Sequence, residues 1–418
     1  ADGNAPHIIT FASAFETASQ HTTTLNGSNL DVNENVTSVN TNPTDALVDG
    51  AIYTVIIEYQ DVVGNTAATA TNTNFTYDLT TDEPTLATPA TSSSDNATID
   101  IDFTLPEAAS SGTVKMTFAR TSGTADGNAP HIITFASAFE TASQHTTTLT
   151  GTDLSINDNV SSVNTNTNDA LVDGAIYSVT IEYQDEAGNT AASVRNSTFT
   201  YDITAPTIDN TAPLEGGTVN TTQVSYTLSE TVASGTVTFT RTGGTLDGAP
   251  HVQNLSGSEL NTGAHNNITL TDNPTLVDGA IYTIEFDATD AAGNAATTNE
   301  NTGITYDVTT ATPTLATPAA SSADNATIDI DFTLPEAASS GTVKMTFTHT
   351  SGTADGNAPH IITFTSAFET ASQHTTTLTG TDLSINANVS SVNTNTNDAL
   401  VEGATYTVII EYQDVVGN

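Results

Sequence analysis

The stretch from Val48 to Asn65, Val-Asp-Gly-Ala-Ile-Tyr-Thr-Val-Ile-Ile-Glu-Tyr-Gln-Asp-Val-Val-Gly-Asn, decides how this chain folds, and it returns three more times, from Val172, Val277 and Val401. Each copy keeps a tyrosine at the same place (Tyr53, Tyr177, Tyr282, Tyr406) and closes on Asp-x-x-Gly-Asn. Side chains alternate across a strand with period two, so Tyr53, Val55, Ile57 and Tyr59 share one face and Thr54, Ile56, Glu58 and Gln60 the other. That pattern predicts a half-buried strand. In the most divergent copy Tyr282, Ile284, Phe286 and Ala288 hold the inner face while Glu285 and Asp287 stay outside.

Working outward, Pro-Thr-Leu-Ala-Thr-Pro opens a full repeat at Pro84 and returns at Pro313. Alternation predicts strands over Ala97 to Leu105, with Ile99, Ile101 and Phe103 inward, and over Thr113 to Thr121, with Val114, Met116 and Phe118 inward. His131 to Phe135 is a further strand. Phe135, Ala138, Phe139 and Ala142 share a helical face and predict a short helix over Phe135 to Ala142. Strands follow at Thr146 to Leu149, Asn159 to Asn164 and Val172 to Gln184, and the last covers Phe199 to Asp202. The repeats are residues 1–81, matching the back part of a copy; 82–204, complete; 205–309, shorter between His265 and Val277; and 310–418, lacking a last strand. The cut first and last copies lead us to expect either a chain that continues at both ends or neighbouring subunits that donate the missing strands. Linkers such as Tyr201-Asp-Ile-Thr-Ala-Pro are short and end on proline, so successive domains are expected end to end, as an extended rod.

Composition narrows the function. Five Lys+Arg against 48 Asp+Glu leave a net charge of −43, which repels nucleic acid and anionic lipid and makes cations the natural counterpart. No cysteine is present, so neither disulfides nor thiolate metal sites hold the fold. No apolar run approaches the roughly 18 residues of a membrane span, and the first residues do not read as a signal peptide.

An acid and a glycine before a strand with an early tyrosine resemble the penultimate strand of an immunoglobulin-like sandwich, where the tyrosine ties the corner. Together, Asp-Gly-x-x-Tyr, Asp-x-x-Gly-Asn and Tyr-Asp-x-Thr-x-x-Pro resemble the tandem bacterial immunoglobulin-like modules of giant repetitive surface adhesins, over essentially the whole chain. Glu402 replaces the aspartate of the Val-Asp-Gly element in the last copy. The resemblance implies an all-β chain of immunoglobulin-like β-sandwiches, Ca²⁺ at domain junctions, and a ligand-binding domain elsewhere.

Three sets of residues carry candidate chemistry. Asp78, Asp202 and Asp307 end their repeats, Asp61, Asp185, Asp290 and Asp414 sit in the Asp-x-x-Gly-Asn loops, and Asp82 lies in the first linker. Together they offer the oxygens that Ca²⁺ takes; alternatively, Asp and Asn close tight turns there. Eight histidines form pairs fourteen residues apart, His7/His21, His131/His145, His251/His265 and His360/His374. Such pairs are candidate Zn²⁺ or Cu²⁺ ligands, or donors that hold a turn. Asn-x-Ser/Thr triplets, Asn74 and Asn196 among them, are glycan sites or products of composition.

Catalysis is not expected: Asp100/Asp102 and Asp329/Asp331 alternate with inward apolar residues, and no nucleophile triad or phosphate loop occurs. Lys115 and Lys344 point outward, which argues against an internal lysine cross-link. The expected role is a non-enzymatic stalk or fibre segment at the cell surface, its partners the adjacent repeats. The alternative is a self-assembling filament, sheath or surface-layer subunit pairing with identical chains. A carbohydrate-binding array is disfavoured by the absence of tryptophan.

Overall fold

The structure is a computed structural model that describes residues 2–40, 45–164, 169–248, 250–393 and 398–418. It is all-β, with single 3-10 turns between strands, and among the described residues no helix is long and apolar enough to cross a membrane. Two compact units are formed, residues 1–204 with 291–294, and residues 205–290 with 295–418.

In the first unit the second repeat is a two-sheet sandwich. One sheet has the order Gln144–Thr150, Thr98–Thr104, Thr85–Thr88. The other runs Val160–Val163, His131–Phe135, Lys115–Gly123, Ala175–Tyr183, Ala192–Tyr201, Ser94–Asp95. All neighbours are antiparallel except Ser94–Asp95, which runs parallel to the last long strand. Three strands facing a larger sheet, built by Greek-key connections, make this an immunoglobulin-like sandwich.

Alternation in sequence becomes burial in the fold. Ile99, Ile101 and Phe103 from one sheet meet Met116, Phe118, Val179, Ile181 and Tyr183 from the other in one core cluster. The expected short helix is a single 3-10 turn, Ser137–Phe139. Phe135 is committed to its strand and only Phe139 folds back, its ring stacked on Phe135 with centroids 5.1 Å apart. The last strand starts at Ala192, seven residues before the expected Phe199, because main-chain pairing to Ala175–Tyr183 holds it although its first half buries little.

The first repeat pairs Ile9–Phe11 with Val36–Val39, and Ala51–Tyr59 with Ala68–Tyr77. No segment of residues 1–81 corresponds to the strands Thr98–Thr104 and Lys115–Gly123, and Val55 and Ile57 are 43% and 59% exposed where Val179 and Ile181 are fully buried.

In the second unit the third repeat has a three-stranded sheet (Ile208–Ala212, Val224–Leu228, Gly263–Ile268) and a five-stranded one (Thr218–Val219, Asn299–Tyr306, Ala280–Thr289, Ser234–Gly244, His251–Asn254). Its shorter sequence omits the counterpart of Val160–Val163, the strand that pairs with His131–Phe135 in the second repeat, so among the described residues this sheet ends at His251–Asn254. The fourth repeat has the order Thr314–Thr317, Thr327–Thr333, Gln373–Thr379 in one sheet and Val389–Val392, His360–Phe364, Lys344–Gly352, Ala404–Glu411 in the other.

Phe118 is fully buried between the sheets. Phe118→Ala should cost about 3–5 kcal/mol, read as faster amide exchange across residues 98–201 with residues 208–306 unchanged. Equal acceleration in both regions would contradict separate cores.

Candidate functional site

Two constellations recur. The first is a corner built on the early tyrosine of the central strand. In the second repeat the Tyr177 hydroxyl accepts from the Val172 N–H at 2.9 Å and donates to Asp126 Oδ2 at 2.7 Å. His131 Nε2 donates to the same oxygen at 2.8 Å. The arrangement repeats as Tyr53–Asp2–His7, Tyr282–Asp247–His251 and Tyr406–Asp355–His360, with tyrosine-to-aspartate distances of 2.7, 2.5 and 2.6 Å. His131 and His360 are fully buried.

Burial pushes the Asp126 carboxyl up, but the bonds from Tyr177 and His131 outweigh it and hold the group below its ordinary value. Against the same opposition from burial, bonds from Tyr406 and His360 hold Asp355 at about 2. Tyr406 is pushed up to about 12 by burial and by its bond to Asp355.

The second constellation is the seat of the linker. The aspartate of Val-Asp-Gly grips it from the preceding repeat: Asp49 Oδ1 accepts from Leu79 N at 2.8 Å, and Asp278 Oδ1 accepts from Val308 N at 2.8 Å. The following repeat grips the far side. Tyr183 donates to Asp82 O at 2.7 Å, Glu107 Oε1 accepts from Asp82 N at 2.6 Å, and Thr81 Oγ1 donates to Asp185 Oδ2 at 3.0 Å. In the second unit Tyr412 donates to Ala311 O at 2.7 Å, Ala311 N donates to Glu336, and Asn418 Nδ2 donates to Asp307 O at 2.9 Å.

Around the first of these linkers, one carboxylate oxygen from each of Asp78, Glu107 and Asp185 lies within 4.8 Å of the others. Asp185 is 1% exposed. Burial, together with the charges of Asp78 and Asp82, raises Glu107 despite the hydrogen bonds it accepts. In the second unit burial raises Asp307, and so do the charges of Asp414, Glu336 and Asp278. Like charges are thus held together at both seats.

Of the predicted acidic ligands, Asp78 and Asp185 are brought together, and Asp307 and Asp414 act on one another. Asp61 closes its own loop, accepting from Asn65 N at 3.0 Å and Asn65 Nδ2 at 2.6 Å. Asp82 contributes its main chain, its side chain being exposed. Asp202 follows the strand Ala192–Tyr201, its N–H on Asp95 O at 3.0 Å, and Asp290 is buried after Ala280–Thr289.

The histidine pairs are split between sheets: His131, His251 and His360 stand in the larger sheet of their repeats, and His145, His265 and His374 in the smaller. Each second member donates to a carbonyl four residues back, His145 to Thr141 at 2.8 Å, His265 to Asn261 at 2.9 Å and His374 to Thr370 at 2.8 Å. In the first repeat His7 bonds Asp2 at 2.5 Å and His21 donates to Thr17 O at 2.8 Å. Each ring therefore holds its own turn.

Two acids that the repeat motifs did not single out, Glu107 and Glu336, follow proline in Leu-Pro-Glu. The signal was there: Leu-Pro-Glu at 105–107 and 334–336 becomes Leu-Ser-Glu at 228–230, keeping the acid while the proline changes.

No family model matches the chain, and no curated protein sequence matches it. Among solved structures, a crystal structure of an ICAM-5 D1-D4 ectodomain fragment is similar over 89% of this chain and 84% of that one, at 13% identity and a TM-score of 0.30. Dimeric latent PorU from Porphyromonas gingivalis is similar over 83% of this chain and 35% of that one, at 10% identity and a TM-score of 0.19.

Tyr177→Phe leaves the Val172 N–H and the Asp126 carboxylate each one partner short, and should cost about 1–3 kcal/mol in urea unfolding. Asp355 titrates lower folded than unfolded, so its contribution is complete above its ordinary value of 3.8 and is lost as pH falls toward about 2. Asp355→Asn should flatten that part of the acid-stability profile; an unchanged profile would remove the corner from the account.

Proposed function

We propose that the chain is a non-catalytic structural segment of an extracellular adhesin stalk or fibre, with Ca²⁺ holding its repeat junctions. The observation that carries this reading is the convergence of Asp78, from the end of one repeat, with Glu107 and Asp185 from the next, around a linker gripped on both sides. The five basic side chains, Lys115, Arg120, Arg195, Arg241 and Lys344, lie outside the linkers. Arg120 and Arg241 are turned to their own loops, on the carbonyls of Thr124 and Thr245 at 2.7 Å. Among the described residues, the groups that act most strongly on Glu107 and Asp185 include no lysine or arginine.

The donor set fits a hard divalent ion. Ca²⁺ takes six to eight oxygens, and three carboxylates completed by carbonyls and water satisfy it, whereas Zn²⁺ favours nitrogen and sulfur donors. A bound ion supplies positive charge where the chain has only negative. Ligands from both sides of a linker resist bending there, because opening the angle pulls one carboxylate off the ion. Repetition of the module and the Thr-, Asn- and Asp-rich surface support a role in reach and stiffness at the cell exterior.

Calcium at a hundred times its dissociation constant should stabilise the junction repeats by about 2.7 kcal/mol. A thermal melt with calcium against a melt with chelator reads this directly, and Glu107→Gln with Glu336→Gln should shrink the shift. Coincident melts would rule out the ion.

A further inference from the structure

The three-stranded sheet of the second repeat ends on an unguarded edge. Leu105 N donates to Ser143 O and Gly151 N to Ala97 O, at 3.1 and 2.9 Å, which sets the phase of the ladder between Gln144–Thr150 and Thr98–Thr104. With period two, the odd-numbered residues pair inward, and Gln144, Thr146 and Thr148 turn their N–H and C=O groups away from the sheet. All three are exposed. At the far end Thr150 is closed off, its N–H on Asn157 Oδ1 at 2.8 Å and its carbonyl on Asp153 N at 3.2 Å.

Native edges are usually protected by lysine, proline or a bulge. Gln-His-Thr-Thr-Thr-Leu-Thr has neither residue, and its register with Thr98–Thr104 is unbroken. Beside the edge lies an acidic face. Asp102 stands opposite Thr146 and Asp100 opposite Thr148, and these four with Thr88 line a shallow groove across the sheet. The fourth repeat reproduces the arrangement: Gln373, Thr375 and Thr377 are exposed, Asp331 and Asp329 stand opposite the two threonines, and Thr379 N is capped by Asn386 at 2.7 Å.

The third repeat provides an internal contrast. Its edge strand Gly263–Ile268 is kinked at Asn267, φ 48°, whose N–H is taken by Ser225 Oγ at 2.8 Å. Its middle strand, Val-Ser-Tyr-Thr-Leu, carries no carboxylate. Straight edge and acidic face thus occur together in two repeats and are absent together from the third.

We propose that Gln144–Thr148 and Gln373–Thr377 are docking edges for an extended cationic peptide, which adds to the sheet as a further strand and presents Lys or Arg at alternate positions to Asp100 and Asp102 or to Asp329 and Asp331. The outward main-chain groups give the pairing, the Thr148 and Thr377 carbonyls exchanging long 3.4 Å bonds from the Thr147 and Thr376 hydroxyls for the added strand. A strand added beside Gln144–Thr150 lies roughly 10 Å from Thr98–Thr104, two strand spacings. Lysine or arginine spans that distance over the small threonines to reach the carboxylates. Charge selects the occupant: a second copy of this chain brings another −43, whereas a basic strand meets the field it needs.

The test titrates the full chain with the peptide Lys-Thr-Lys-Thr-Lys-Thr-Lys, followed by fluorescence anisotropy and calorimetry. Saturable binding of two peptides per chain is expected. The same peptide N-methylated at alternate residues keeps its charge but cannot pair, and should bind at least tenfold more weakly. Thr146→Pro with Thr375→Pro should abolish binding while circular dichroism stays unchanged; if that variant misfolds, the methylated peptide on the wild-type chain decides. D100N/D102N/D329N/D331N should weaken binding at least tenfold. Equal binding of the methylated peptide would mean attraction to an acidic surface alone and would overturn the proposal. So would an unaffected Asp-to-Asn variant, the absence of saturable binding, or a dimer in sedimentation that the proline variant dissolves.

Discussion

Burying a phenol hydroxyl in an apolar sandwich favours a hydrogen-bond partner. Two of the buried tyrosines of the second repeat, Tyr177 and Tyr183, find theirs in the corner and the linker, while the Tyr201 hydroxyl is buried without one. Tyr177 and Tyr183 stand six residues apart on one strand, hence on one face. Tyr177 ties the start of the strand to the loop of Asp126 and His131. Tyr183 ends it on the linker carbonyl of Asp82, with Glu107 3.2 Å away. One central strand therefore carries both the corner that holds the sandwich together and the clasp on the linker that arrives from the preceding repeat.

The carboxylates of this acidic chain meet two different fates. Some are surrounded by donors: Asp173 accepts from Ile203 N at 2.8 Å and Thr204 Oγ1 at 2.6 Å, and Asp126 accepts from tyrosine and histidine. These hold turns and exits. Others, Glu107 and Asp307, are raised in pKa first by burial and then by the charges of further carboxylates beside them. Evenly solvated charge would do no more than keep the chain soluble. Carboxylates gathered around a linker are the groups that the proposed cation would neutralise.

Much of the candidate site was legible because local rules govern it. Tyr177 was marked as a corner tyrosine by the acid and glycine before it, and Asp78 and Asp185 by their places in repeated turn motifs. Glu107 was hidden because it lies outside the recurring turn motifs and its partnership with Tyr183 spans 76 residues. The fourteen-residue histidine spacing is a regularity of the repeat: it recurs because each ring ties its own turn, at Asp126 for His131 and at Thr141 for His145.

By itself the sequence determined most of the strands, the alternation of faces along them and the sign of the charge, because alternation, turn chemistry and charge act over a few residues. Tertiary structure decided which faces become core and which acids become neighbours. Val179 and Ile181 are fully buried because Ile99, Ile101 and Phe103 of the facing sheet pack with them in one core. Asp78, Glu107 and Asp185 meet for a related reason: the fold returns distant loops to one end of a sandwich, and proximity across that distance is a property of packing and not of spacing along the chain.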